Sequence, residues 1–182
     1  MGWIRSDLTL HLMEWAKPGV SLMMPRGLRP IAYARNWCAR KFIDDTDYDY
    51  LWFIDADTLP PIDALKLLID QDAPIISGIV NVGRRGSYGP IETVPAVMDK
   101  GDDGYHSVGY ESGVHRVDVC GAACMMVRRD VFETLPFPFF TEQPWGKMRG
   151  EDLRFCIDAG KHGFNTYAHF DVRCYHWKEV DL

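Results

Sequence analysis

The sequence lacks several features that would assign the protein to a special class. No apolar run approaches the roughly 20 residues of a membrane-spanning helix, and the N-terminus has no charged stretch followed by an apolar one, as a secretory signal would have. The five cysteines are odd in number and form no C-x-x-C pair, which argues against a disulfide framework and a zinc knuckle. We therefore expect a cytoplasmic protein with reduced thiols and no transmembrane segment.

An excess of positive charge is also missing. The formal net charge of −6 argues against a nucleic-acid backbone or an anionic membrane as the main partner, although a modified base stays open as a substrate. No internal repeat, low-complexity stretch or linker interrupts the chain. Since apolar residues make up 47% of the 182 residues and aromatic residues 13%, the composition predicts a single globular domain over residues 1–182.

Helical and strand-like patterns alternate along the first half of the chain. The apolar spacing and the capping residues predict three helices, at 7–15, 30–43 and 61–70, and three strands, at 20–24, 51–55 and 74–80. Strands that alternate with helices predict an α/β fold with a mostly parallel sheet and right-handed crossovers. Residues 2–5 leave little room for a strand before the first helix, so we expect the first strand of the sheet to be short or missing.

The second half of the chain is less regular. Residues 83–113 are rich in glycine and predict loops and a short hairpin. Residues 117–127 predict a buried strand, in which Gly121 and Ala122 permit a bulge or the close approach of a ligand. A helix is expected to begin at Gly150, and one or two strands are expected in 164–177. The aromatic segment 137–145 suits stacking on a sugar face, and core packing explains it equally well.

The first candidate site is the stretch LWFIDADTLPP, residues 51–61. Its apolar strand ends abruptly at Asp55, and a second carboxylate, Asp57, follows two residues later. Ligands bind at the carboxyl ends of strands in open α/β sheets, and two hard oxygen ligands there suit Mg²⁺ or Mn²⁺ that holds a phosphorylated substrate. The alternative is that these aspartates cap the next helix, although one would suffice for that role.

Three further features are candidates for the same site. Glu151 and Asp152 stand at a helix start, where the helix dipole favours a carboxylate that can act as a base; the alternative is an ordinary N-cap. His176 could supply an imidazole to a metal ion already held by aspartate, or could be a simple core or surface histidine. Arg35 and Arg84 carry guanidinium groups that suit diphosphate oxygens, although scattered arginines usually face solvent.

The order of four motifs resembles a known family. FIDADT, DVCGAACMMVRRDVF, WGKMRGEDLRFCIDAGKHGF and a terminal YHW, taken in this order, resemble metal-dependent glycosyltransferases of the GT-A fold, above all the small family-2-like enzymes of bacteria and their phages. The likeness runs from about residue 31 to residue 177. It implies a Rossmann-like, mostly parallel sheet flanked by helices. It also implies transfer of a sugar from a UDP- or GDP-linked donor to an unidentified acceptor hydroxyl, with Mn²⁺ or Mg²⁺ as cofactor.

The resemblance implies catalytic and metal-binding roles by position. Asp55 and Asp57 match the D-x-D that holds the divalent ion on the donor diphosphate, and His176 matches the late histidine that often completes the coordination. Asp152 matches the aspartate that deprotonates the acceptor hydroxyl in inverting members, although a position beside the leaving group would instead mean retention of configuration. Glu151 would help to hold the acceptor.

The resemblance also implies residues that bind the sugar nucleotide. Arg35, in the segment ARN, matches an arginine near the nucleotide. Gly121 and Ala122 match the strand that lines the sugar pocket. Arg84 or Arg85 is expected on a loop that closes over the donor, where its positive charge would stabilise the departing diphosphate.

Two other functions fit the same sequence. FIDADT also matches the D-x-D-x-T motif of haloacid-dehalogenase-like phosphatases, with Asp55 as nucleophile and Ser77 as the next motif. No Lys followed by an acidic pair completes that set, and the motif strand usually comes first in that family. A transferase-like domain without its first strand could also be an inactive relative that binds a sugar or a nucleotide.

Overall fold

The computed structural model describes residues 6–85, 91–142 and 150–177. In this part of the chain five helices form: α1 (Ser6–Trp15), α2 (Ile31–Asp45), α3 (Ala64–Ile69), α4 (Arg129–Thr134) and α5 (Glu151–Lys161). The strands are β1 (Tyr50–Ile54), β2 (Thr58–Leu59), β3 (Ile75–Ile79), β4 (Asn81–Arg85), β5 (Ile91–Pro95), β6 (Val97–Gly101), β7 (Gly104–Ser107), β8 (Val114–Val117), β9 (Val119–Cys120), β10 (Cys124–Arg128), β11 (Thr166–Arg173) and β12 (Tyr175–His176).

The main sheet has five strands in the order β1-β10-β3-β11-β8. β10 pairs antiparallel with both β1 and β3, and β8 pairs antiparallel with β11. Among the strands described, β3 and β11 form the one parallel pair. The predicted α/β class with a mostly parallel, Rossmann-like GT-A sheet is therefore wrong. The fold is mixed α/β, with mostly antiparallel strands in several small sheets.

The prediction of a parallel sheet failed because it assumed the wrong neighbours for the strands. Apolar periodicity identifies a strand but not its partner, and β10 enters the sheet between β1 and β3 from far along the chain. Because β10 runs opposite to both, β1 and β3 still point the same way, as does β11. β1, β3 and β11 end at the same side of the sheet, and β10 begins at that side. We call this side the site edge. The carboxyl end of β1 therefore lies where the sequence places a ligand site, although the sheet is of another kind.

Other predicted elements also differ from the structure. Residues 20–24 form no strand, and the helix predicted at 61–70 is shorter, since α3 begins only at Ala64. The segment predicted as loops with one hairpin contributes β4 to β7, which belong to two additional small sheets. The strand predicted at 117–127 is interrupted between β9 and β10. Residues 2–5, where a short first strand was expected, lie outside the described part.

Two apolar clusters pack on opposite faces of the main sheet. Successive side chains of a strand point to opposite faces: Met125 of β10 belongs to the cluster that contains Phe42 of α2, and its neighbour Met126 belongs to the cluster that contains Leu68 of α3. At Gly78 of β3 a Cβ would come within 2.7 Å of a methyl carbon of Val172. Glycine is therefore required where β3 and β11 pack closely.

The structure also shows the state of the cysteines and the length of the helices. All five cysteines are free, and burial raises the pKa of Cys38 to about 11, so that this thiol stays protonated at neutral pH. Within residues 6–85, 91–142 and 150–177, no helix is long and apolar enough to cross a bilayer.

Candidate active site at one edge of the main sheet

The centre of the site is the guanidinium of Arg35, on α2, which is only 6% exposed. Its Nη2 donates to the two carboxylate oxygens of Asp55, at 3.2 and 3.3 Å, and its Nη1 donates to Glu151. Oδ2 of Asp152 lies 3.9 Å from Nη1. We call these four residues the inner cluster. Three carboxyl groups around one guanidinium give this edge an excess of negative charge, which favours the approach of a cation.

The position of Asp152 depends on the glycine before the helix. Gly150 has φ +143°, and a Cβ at this residue would lie 2.6 Å from Oδ1 of Asp152, so a larger residue would displace the carboxylate. Oδ2 of Asp152 accepts a hydrogen bond of 3.1 Å from the backbone N–H of Ala122. The Asp152 side chain nevertheless stays 22% exposed. A carboxylate that is oriented and still accessible can take a proton from a bound hydroxyl.

Glu151 has a different environment from its neighbour. It is 8% exposed, and its carboxyl group contacts Arg35. Burial raises the pKa of Glu151, because it outweighs the attraction of Arg35, and the nearby Asp152 and Asp55 raise it further. This buried position suits a group that orients Arg35 better than the predicted role of holding an acceptor.

Asp57 and His176 meet on the outside of the inner cluster, and we call them the outer pair. β12 pairs antiparallel with β2, with His176 opposite Thr58, and the backbone N–H of Trp177 donates to the carbonyl of Asp57 at 2.9 Å. This pairing brings Nε2 of His176 to 3.4 Å from Oδ2 of Asp57. The Asp57 side chain is 55% exposed and the His176 side chain 14%. The outer pair is thus accessible on the carboxylate side.

The second ring nitrogen of His176 determines what the first can do. Nδ1 lies 2.9 Å from the carbonyl oxygen of Asn81. A carbonyl only accepts, so Nδ1 carries the proton, and in neutral imidazole Nε2 then presents a lone pair to Asp57. Two lone-pair groups at 3.4 Å repel unless a proton or a cation lies between them. Ligands about 2.1 Å from an ion and at right angles stand about 3 Å apart, so this separation fits adjacent ligands of one divalent ion.

The structure assembles only part of the predicted metal site. Asp57 and His176 come together, whereas the carboxylate of Asp55 pairs with Arg35. Among the residues that the structure describes, no three His, Cys, Asp or Glu side chains are grouped closely enough to hold an ion. An ion at the outer pair would depend on substrate phosphates and water for its remaining ligands, which is a common arrangement for Mg²⁺.

The predicted sugar-pocket residues Gly121 and Ala122 lie at the same edge of the sheet, but the side chain of Ala122 is buried in the core. Gly121 and Ala122 form the turn between β9 and β10, and the N–H of Gly121 donates to the carbonyl of Ala96 at 2.7 Å. The methyl group of Ala122 is completely buried in the core, so it is the backbone N–H of this residue that reaches the site, at Asp152. Arg84 lies in β4, and its side chain is outside the described part, as are residues 143–145 of the aromatic segment.

Sequence reasoning missed two contributors to the site. Asn81 acts through its backbone carbonyl, which no side-chain pattern reveals. Gly150 directly precedes Glu151 and Asp152. A glycine in that place was a signal that a side chain there would crowd the carboxylates.

Comparison with known proteins extends to the fold alone. The sequence matches no family model and no curated protein. Among solved structures, the chain is similar to the crystal structure of A197 from STIV, with a TM-score of 0.69 and 21% sequence identity over 98% of this chain and 82% of that one. A likeness at this identity supports a shared fold and carries no information about activity.

Proposed function

We propose that the protein is a metal-dependent glycosyltransferase that moves a sugar from a UDP- or GDP-linked donor to an acceptor hydroxyl in the cytoplasm. One observation carries this proposal. The D-x-D aspartates, Arg35, the Glu-Asp helix start and the late histidine are far apart in the sequence, and their side chains lie at one edge of one sheet. A shared capping role would not require His176 to approach Asp57.

The outer pair supplies protein ligands for the ion. Asp57 and His176 fit Mn²⁺ or Mg²⁺ as adjacent ligands, and the nitrogen ligand favours Mn²⁺. When bound, such an ion stabilises the charge that develops on a departing diphosphate. Asp55 does not need to ligate the ion directly. Its carboxylate adds negative charge beside the outer pair, and Arg35 holds it in place.

Asp152 is the general base in this proposal. The backbone N–H of Ala122 orients its carboxylate, and Gly150 leaves the space that it occupies. The base accepts the proton of the acceptor hydroxyl as the oxygen attacks the sugar carbon, and the displacement inverts the configuration. Arg35 is a positioning residue, since its guanidinium is committed to the three carboxyl groups around it.

The phosphatase alternative has less support. Ser77 would have to present its hydroxyl to a phosphate, but it is 1% exposed and its Oγ lies 2.7 Å from the carbonyl oxygen of Gly78 and 3.0 Å from that of Cys124. The proposed nucleophile, Asp55, has both oxygens against Arg35. Ser77 is therefore closed to a phosphomonoester, and Asp55, whose side chain is 34% exposed, is paired with Arg35.

A screen of donor hydrolysis tests the proposal, because hydrolysis needs no acceptor. The protein is incubated with Mn²⁺ and with UDP-glucose, UDP-galactose, UDP-N-acetylglucosamine or GDP-mannose, and release of UDP or GDP is measured. We expect release with at least one donor, loss of release with EDTA, and loss in Asp57→Ala. Asp70→Asn is the matched control, because Asp70 is a surface aspartate paired with Lys66 on α3 and should have no effect.

Two results would contradict the proposal. The first is the absence of hydrolysis together with no thermal stabilisation by UDP or GDP in the presence of Mn²⁺, which would favour an inactive domain. The second is release of phosphate from p-nitrophenyl phosphate that disappears in Asp55→Asn, which would favour the phosphatase.

A further inference from the structure

An open cleft lies between α2 and the segment that follows α4. Its volume is about 530 Å³, and four aromatic residues line it: Tyr33, Trp37, Phe137 and Phe140. Tyr33 is 54% exposed and Phe137 57%, and Trp37 is half-buried against the core. Small-molecule sites are typically concave, of this size and rich in aromatic side chains.

The floor of the cleft is rigid. Asn36 of α2 donates from Nδ2 to the carbonyl of Phe140 at 2.6 Å, and its Oδ1 accepts from the N–H of Phe140 at 3.0 Å. The Phe140 ring stacks on Phe155 of α5, with ring centroids 4.6 Å apart. A preformed floor lowers the entropy cost of binding.

The rim of the cleft carries polar groups without partners in the described part of the chain. These are the hydroxyl of Tyr33, the indole N–H of Trp37 and the carboxylate of Glu142. Arg40 lies over the Phe137 ring, 5.7 Å from its centroid, and pairs with Asp44. A purely apolar ligand would desolvate these groups without bonding to them, which is unfavourable.

We propose that this cleft binds a pyranose ring of a carbohydrate. The apolar C–H face of a sugar ring packs on aromatic rings, and its hydroxyl groups can bond to the rim groups of Tyr33, Trp37 and Glu142. This inference rests on the cleft alone and does not depend on the proposed glycosyl transfer.

The position of the cleft relates it to the inner cluster. Asn36 of the floor follows Arg35 on α2, and Phe155 under the floor lies one turn after Asp152 on α5. α2 and α5 therefore contribute to both places. Tyr33 and Trp37 lie about 160° from Arg35 around α2, at about 100° per residue, so the cleft and the inner cluster are separate sites.

Saturation-transfer NMR on the metal-free protein tests the cleft directly. The probes are cellobiose, maltose, lactose and methyl α-mannoside at millimolar concentration. We expect at least one probe to bind, Trp37→Ala to abolish the signal, and Phe137→Ala to weaken binding by about tenfold. Trp37→Phe should keep most of the affinity, because it keeps an aromatic face. Tyr110→Ala removes an exposed ring that stacks on His115 outside the cleft and should change nothing.

The possible outcomes separate this inference from the proposed function. Saccharide binding that persists in Asp57→Ala, in a protein that also releases no nucleotide from any donor, would leave a carbohydrate site and refute the transferase. Mn²⁺-dependent donor hydrolysis with no saccharide binding would refute the saccharide site and leave the transferase. Binding that survives Trp37→Ala would place the sugar elsewhere and overturn the inference. Thermal unfolding of each variant checks that it folds.

Discussion

The inner cluster and the outer pair consist of similar side chains, but their charges are satisfied in different ways. In the inner cluster, Arg35 is nearly buried and contacts Asp55 and Glu151 directly. In the outer pair, Asp57 is more than half exposed, and His176 is the one partner of its carboxylate among the described residues. The inner cluster is completed by the protein itself, whereas the outer pair still offers a lone pair and a carboxylate to a ligand. In the proposed function, the inner cluster supports the site and the outer pair binds the metal ion.

The largest effect should come from removing the cation of the inner cluster. Arg35→Ala would leave Glu151 and Asp55 without their guanidinium partner, and loss of one partner of a buried pair costs about 3–5 kcal/mol of unfolding free energy. Denaturant unfolding measures this loss. Arg40→Ala on the same helix removes an exposed arginine paired with Asp44 and should cost no more than about 1 kcal/mol. If both variants lose the same stability, the inner cluster is not a buried support.

The second effect is the loss of stabilisation by Mn²⁺ at the outer pair, which appears only when the ion is present. Mn²⁺ at 100 times its dissociation constant should stabilise the folded protein by about 2.7 kcal/mol, and Asp57→Ala should abolish that gain. Without metal, the variant should unfold within about 0.5 kcal/mol of the parent protein, because the carboxylate is exposed. Thermal unfolding with and without MnCl₂ measures both quantities. A parent protein that shows no Mn²⁺ response would remove the distinction between the two groups.

A smaller effect should follow from loss of the imidazole. His176→Ala removes the nitrogen ligand, so we expect Mn²⁺ affinity to fall by about 10- to 100-fold and the preference for Mn²⁺ over Mg²⁺ to decrease. Calorimetric titration with each ion measures this change. The control is His162→Ala, since His162 is exposed at the end of α5 and, within the described part of the chain, bonds only to the carbonyl of Asp158. Equal losses in both variants would show that His176 is no ligand.

The smallest effect is a pH dependence of the inner cluster. Burial raises the pKa of Glu151 above its ordinary value of 4.5, so the folded protein binds its proton more tightly than the unfolded chain. The resulting stabilisation is complete below the unfolded pKa and is lost as the pH rises through the folded one. Glu151→Gln cannot titrate, so the stability of the parent relative to this variant should fall between pH 4 and neutral pH. Unfolding titrations at several pH values measure the difference, and a difference that rises with pH would contradict the assignment.

Local patterns were enough to identify most elements but not their arrangement. The apolar run before Asp55 predicted a strand, and the observed β1 matches it within one residue. The helix expected to begin at Gly150 begins at Glu151, one residue later. The glycine-rich segment 83–113 predicts loops and a short hairpin, because the sequence has no clear period there, yet it contributes to two antiparallel strand pairs, β4 with β5 and β6 with β7. Pairing between strands supplied the order that the local pattern lacked.

The sequence alone determined where charged side chains interrupt apolar segments: the aspartates after β1, the acidic pair at the start of α5 and the histidine in the last strand. Only the tertiary structure decided which of these side chains pair with each other. The antiparallel insertion of β10 places Ala122 against Asp152, and the pairing of β12 with β2 places His176 against Asp57. Arg35 pairs with Asp55, whereas Asp57 pairs with His176. The physical reason is that a charge finds its partner through space, and the distances that govern Coulomb energy arise only when the strands have paired.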